Sequence, residues 1–382
     1  MINKTIQYKA GNWSENLPSN LDSNDTIVFA FFSDILVKEG KSNWFHDLTS
    51  KFEKSHIVGC STAGEIFGDR VFDDTVSVSV VKFEKTKIKV VYSNPVNETV
   101  QDSFELANKL AGELNDPSLK AILVLSEGLK VNGSKLIQGL THNLGSEVAI
   151  AGGLAGDSGK FKETWIIKNK RIVNHSIVGI GFYGDSFKFQ SGSSGGWKSF
   201  GPRRNITKSK GNVLYEIDGI PALDLYKKYL GKESANLPAS AFFYPLSIGT
   251  DNRGCHLVRT ILGIDNENSS MTFAGDVPEG SGCQLMRASF DNLVAGSKKA
   301  FKVSRAFLNE DKPIVTIGIS CVGRKIVLGE YTTEELTAIS EGLGQNKALT
   351  GFYSYGEIGN DLATGHCNFH NQTMTVVSFQ ED

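Results

Sequence analysis

One glycine-framed octapeptide recurs along the chain and constrains its fold more than any other feature. Gly59-Cys60-Ser61-Thr62-Ala63-Gly64-Glu65-Ile66 returns in altered form as Ala151-Gly152-Gly153-Leu154-Ala155-Gly156-Asp157-Ser158. It returns again as Gly351-Phe352-Tyr353-Ser354-Tyr355-Gly356-Glu357-Ile358. Each copy ends in glycine followed by a carboxylate, and each follows a helix-like stretch. Loops that recur on a repeated scaffold predict shared pocket walls rather than isolated turns.

The flanking segments repeat too. Ile27 to Phe32 is an apolar run of strand length, which predicts a strand buried on both faces. Trp44, Phe45, Leu48 and Phe52 recur at helical spacing, and His56-Ile57-Val58 leads into the first loop. Val76 to Val80 and Ile88 to Val90 alternate as strands. The same order follows with a strand over 121–126, a helix over 135–144, Val148 to Ile150 feeding the second loop, and strands over 164–167, 177–182 and 187–190. Glu65 and Asp157 hold matching places 92 residues apart, so the first half reads as an internal duplication. Ser191 to Gly196 predicts a boundary or exposed turn. Beyond it come a helix from Pro221 to Leu230, a strand over 314–320, a helix start at Thr333-Glu334-Glu335-Leu336, the third loop, and a closing strand over 370–379. The expected fold is therefore an α/β protein of mixed β-sheets flanked by helices, with duplicated strand-helix-strand units.

Charge and cysteine content narrow the function. Forty basic residues stand against 42 acidic ones, without the basic stripe of a nucleic-acid binder. The short tract Lys198 to Arg204 reads as a solvated linker. No apolar stretch approaches a transmembrane span, and the N-terminus lacks the apolar core of a signal peptide. Five scattered cysteines (Cys60, Cys255, Cys283, Cys321, Cys367) without a C-x-x-C pair support neither a disulfide framework nor a zinc ribbon, and predict a reducing cytoplasm.

The first loop has the glycine spacing of a phosphate-binding loop, but Glu65 stands at the lysine position and Ile66 at the hydroxyl position. A carboxylate there repels phosphate. The same groups suit a zwitterion. The glycines Gly59, Gly64, Gly153 and Gly356 allow close backbone approach, and Cys60, Ser61 and Thr62 line the first loop. Glu65, Asp157 and Glu357 can pair with an ammonium, while Arg259 or Arg324 can answer a carboxylate. Tyr353 and Tyr355 share a strand face and can flank the cavity, with Phe352 turned to the core. The other reading of these loops is structural, with glycines permitting tight turns and acids accepting backbone hydrogen bonds.

Cys60 and Cys321 are the nucleophile candidates, though catalysis needs a positioned base and small buried cysteines are commonly inert. The cluster His366-Cys367-Asn368-Phe369-His370 has ligand chemistry, but His366 and His370 would lie about 13 Å apart in an extended chain, too far to chelate one ion. A single axial haem ligand needs no such spacing; His175, His256 and His370 are the candidates.

These residues resemble the FIST-domain proteins, intracellular signal-transduction sensors with N- and C-terminal parts. The resemblance rests on Val58 to Ile66, Gly153-Leu154-Ala155-Gly156-Asp157, Asp218 to Tyr226, Cys321-Val322-Gly323-Arg324, Gly351 to Ile358, and His370-Asn371-Gln372-Thr373-Met374. It implies a two-part architecture: a FIST N-terminal domain over 24–212, duplicated at about 24–100 and 101–195, and a FIST C-terminal domain over 213–382. It further implies a cytoplasmic, non-catalytic sensor of small ligands, with amino acids proposed, signalling to a separate protein such as a histidine kinase. One branch resembles haem-binding nitric-oxide sensors. A thiol-dependent hydrolase is the reading from a different class, and a scaffold that binds only partners is another. No nucleic acid, membrane or firm cofactor is expected.

Overall fold

The computed structural model describes residues 1–41, 43–93, 100–249, 256–344, 348–361 and 365–382; Cys255 lies outside them. Three sheets share one plan. In the first, the buried run forms the strand Thr26–Ser33, parallel to His56–Thr62 and antiparallel to Thr75–Lys82, which in turn pairs with Ile2–Lys9. In the second, Leu119–Ser126 lies parallel to Ala149–Leu154 and antiparallel to Ile177–Tyr183, whose outer neighbour is Lys87–Tyr92. In the third, Val315–Cys321 lies parallel to Leu349–Ser354 and antiparallel to Met374–Glu381, with Phe187–Ser194 outside it. The repeat seen twice in the first half is thus present three times, and each unit begins with its edge strand.

The hairpin after each Gly-acid loop leaves its own sheet. Glu65–Phe67 joins the third sheet beside Leu349–Ser354, Glu357–Asn360 joins the second beside Ala149–Leu154, and Ile166–Lys168 joins the first beside His56–Thr62. The exchange is cyclic, and it brings the three loops together. The inward faces of the three opening strands supply alternate residues to one core: Ile27, Phe29 and Phe31, then Ala121, Leu123 and Leu125, then Val315, Ile317 and Ile319. Phe352 stacks on Phe31 there, with ring centroids 4.8 Å apart, as the alternation requires. Helices cover the outer faces, Asn43–Lys51 over the first sheet and the pairs Val100–Leu114 with Gly133–Thr141 and Phe290–Ser304 with Thr332–Ser340 over the others.

An eight-stranded sheet built from residues 198–287 is inserted between the edge strand of the third unit and its first helix. Two sequence expectations change here. Ser191 to Gly196 is no simple boundary. The strand Phe187–Ser194 runs through its first four residues, because Gly192 lets the helix Phe290–Ser304 approach; a methyl group there would lie 2.4 Å from the Ala300 carbonyl oxygen. The basic tract Lys198 to Arg204 is not a linker but the start of the long strand Lys198–Lys210, where Arg204 pairs with Asp218 at 3.1 Å and donates to the Tyr229 hydroxyl. The last expected strand splits in two, Cys367–His370 and Met374–Glu381, with a turn at Gln372 in left-handed backbone geometry.

Candidate functional site

The three Gly-acid loops meet as the repeat predicts, but their carboxylates face internal donors. Glu65 is buried and accepts from the Thr62 hydroxyl on one oxygen and from the backbone N–H and hydroxyl of Thr75, at 3.0 and 2.8 Å, on the other. Glu357 repeats the arrangement with the Ser354 hydroxyl at 2.7 Å and the N–H and hydroxyl of Thr373 at 3.1 and 2.9 Å. Burial pushes Glu65 up to about 8 and Glu357 up to about 7, against the opposing pull of these hydrogen bonds. The second unit has Leu154 and Ile177 at the corresponding ladder positions, so neither hydroxyl exists. Asp157 instead accepts from the backbone N–H groups of Phe161, Lys162 and Glu163 and from the Tyr355 hydroxyl. Ser61 donates to the Gly156 carbonyl at 2.7 Å and accepts from the Trp165 N–H at 2.9 Å.

The glycines serve strand contact in the same way. A methyl group at Gly59 would lie 1.8 Å from the Ala30 carbonyl oxygen, and one at Gly351 equally close to that of Gly318. At Gly64 it would meet the Lys325 ammonium at 2.8 Å, and at Gly356 the Phe369 ring at 2.3 Å. Gly153 stands opposite Glu357 in the sheet ladder.

Both candidate arginines hold the framework. Arg324 is fully buried against Glu335, with Nη2 to the carboxylate at 2.7 Å, and also donates to the carbonyls of Gly195 and Leu293. Tyr353 donates to Glu335 at 2.6 Å, and Ser320 donates to the same oxygen. Sequence reading missed Glu335. It looked like one more acid in a helix start, and its partners come from separate elements. Arg259 donates to the Phe369 carbonyl at 2.8 Å and lies against the Phe369 ring.

Burial pushes the Cys60 and Cys321 thiols well above their ordinary values, the reverse of an activated nucleophile. Glu357 near Cys321 adds to the effect. Among the described residues, no group of three His, Cys, Asp or Glu can hold a metal ion. His175 sits in a left-handed turn, its Nδ1 buried and without a hydrogen-bond partner among the described residues. His370 is buried, and desolvation pushes it down to about 4, so its ring is neutral and Nε2 donates to the Gly359 carbonyl at 3.0 Å.

His370 and the exposed His256 instead line a cleft of about 450 Å³ between the eight-stranded sheet and the third unit. From the third unit come Ser193 to Gly196, Lys299, Asp361 and Thr373; from the eight-stranded sheet come Ser199, Arg203, Ser247, His256 and Gln284. Trp197 joins the walls by donating to the Gln372 carbonyl at 2.9 Å. Trp197, Leu257, Val258 and Met286 stand in the same lining beside these hydroxyls and cations. Sequence reading found His256, His370 and, as a turn, Ser191 to Gly196; it had no signal joining them to Arg203, Ser247 or Lys299.

The FIST N domain matches over residues 26–220 and the FIST C domain over residues 222–360. The chain belongs to the FIST family. FIST domains are associated with signal-transduction sensing and small-ligand binding. The uncharacterized protein MJ1623 of Methanocaldococcus jannaschii is 24% identical, over 96% of this chain and 75% of its own length. Among solved structures, a cyanuric acid hydrolase from A. caulinodans covers 100% of this FIST chain and 99% of its own at 7% identity and a TM-score of 0.35, a likeness that carries no argument about activity. No helix among the described residues is long and apolar enough to cross a membrane.

Proposed function

We propose that this FIST protein is a non-catalytic sensor that binds a small zwitterionic metabolite, such as an amino acid, in the cleft beside His370. The observation that carries the reading is the charge layout of that cleft. Arg203 and Lys299 are exposed cations without an ion-pair partner among the described residues, and Asp361 is the one acid in the described lining. Ser194 and Ser247 add hydroxyls, and Gly195 and Gly196 add close backbone. The Gly-acid loops, the site expected from sequence, support this cleft from behind: Glu357 holds Thr373, a lining residue, while Arg324 holds the Gly195 carbonyl. A ligand bridging the walls would shift the eight-stranded sheet against the three-unit body, a change a separate signalling protein such as a histidine kinase could read.

Calorimetry against an amino-acid panel tests the reading, with Ser247→Trp filling the cleft. At least one compound should bind the wild type and fail to bind the variant. Binding that survives the tryptophan, or no binding by any compound, would sink it.

A further inference from the structure

The two cations of the cleft stand on opposite walls. Lys299 lies on the helix Phe290–Ser304 of the third unit, the wall that also carries Asp361. Arg203 lies on the long strand of the eight-stranded sheet, over Gly282, where a methyl group would come within 2.8 Å of its Nε. His256 stands on that same wall, against Gly249. A neutral amino acid uses one of these cations. Its carboxylate and ammonium match Lys299 and Asp361 on the third-unit wall, and Arg203 is then left facing an apolar or neutral group.

Building on the sensor reading above, we infer that the ligand is an acidic amino acid, an amino dicarboxylate whose second carboxylate reaches Arg203 across the cleft. The guanidinium offers a planar fork that takes a carboxylate by two parallel hydrogen bonds, which an amide cannot reproduce. Such a ligand pairs both cations at once, whereas a neutral amino acid leaves one of them to solvent. It also ties the two walls together, as a sensor of wall movement requires.

The test compares L-glutamate, L-glutamine and glutarate by calorimetry on the full chain. L-Glutamate should bind at least about tenfold more tightly than L-glutamine, a difference of about 1.4 kcal/mol, and more tightly than glutarate, which lacks the ammonium. Arg203→Gln should abolish the preference for glutamate over glutamine. Arg203 is exposed and makes no hydrogen bond or ion pair among the described residues, so the variant keeps the fold. Equal binding of glutamate and glutamine by the wild type, or an equal loss of both in Arg203→Gln, overturns the inference and leaves the sensor reading standing. Absence of binding by all three probes and by the wider amino-acid panel overturns both.

Discussion

Single residues carry the pH response of this protein. Glu65 and Glu357 are protonated in the fold at pH values where the unfolded chain has ionised them, because burial raises both. The native state therefore binds more protons than the unfolded state between the ordinary carboxylate range and about 7 to 8, and stability falls as pH rises through that window. Urea midpoints at pH 5.5 and 8.5 should show the fall, and Glu65→Gln should flatten it. A midpoint in the variant as pH-dependent as in the wild type would contradict this assignment. Arg324 presents the opposite risk. Arg324→Met takes the guanidinium away from Glu335, which is 0% exposed, and should cost about 3–5 kcal/mol by denaturant unfolding. The acids of the loops were legible in sequence as a glycine-carboxylate pair. Their partners were not, since Thr75 and Thr373 reach them only after the final strand of each unit folds back.

At the scale of elements, the repeat itself was the legible part. Alternation and apolar runs placed the opening strands, and Pro221 marked a helix start, where it serves as the N-cap of Ala222–Leu230. The edge strands escaped notice, Ile2–Lys9 because its exposed face is polar and Phe187–Ser194 because its end is glycine and serine. The cleft was illegible for a plainer reason: Arg203, Ser247 and Lys299 lie on three elements that meet only through the inserted sheet. Glycines at strand contacts make the element-level prediction. Gly351→Ala places a methyl group 1.8 Å from a backbone oxygen, which no rotamer can relieve, and should lower the melting temperature sharply or prevent soluble expression. Gly263→Ala, with open space at its Cβ, should stay within about 0.5 kcal/mol of the wild type. Thermal melts of the two variants side by side check the contrast.

For the whole molecule, the N- and C-terminal parts named by sequence do not own separate sheets. Phe187–Ser194 pairs along its full length with Met374–Glu381, and the hairpins from 65–72 and 357–370 cross between the parts. Fragments 1–212 and 213–382 expressed apart should each show little protected amide hydrogen exchange in these strands, and mixing them should restore it. Independent protection in either fragment would refute the shared-sheet account. The same interlocking sets a timetable for synthesis. The strand that fills the gap between Val315–Cys321 and Phe187–Ser194, Met374–Glu381, is the last of the three in chain order. Until then Phe187 and Phe189 lack the strand that carries Phe379, and two sheet edges stand open. A chain in which Met374–Glu381 has not yet paired thus exposes the open edges and apolar surface that make folding intermediates prone to aggregation.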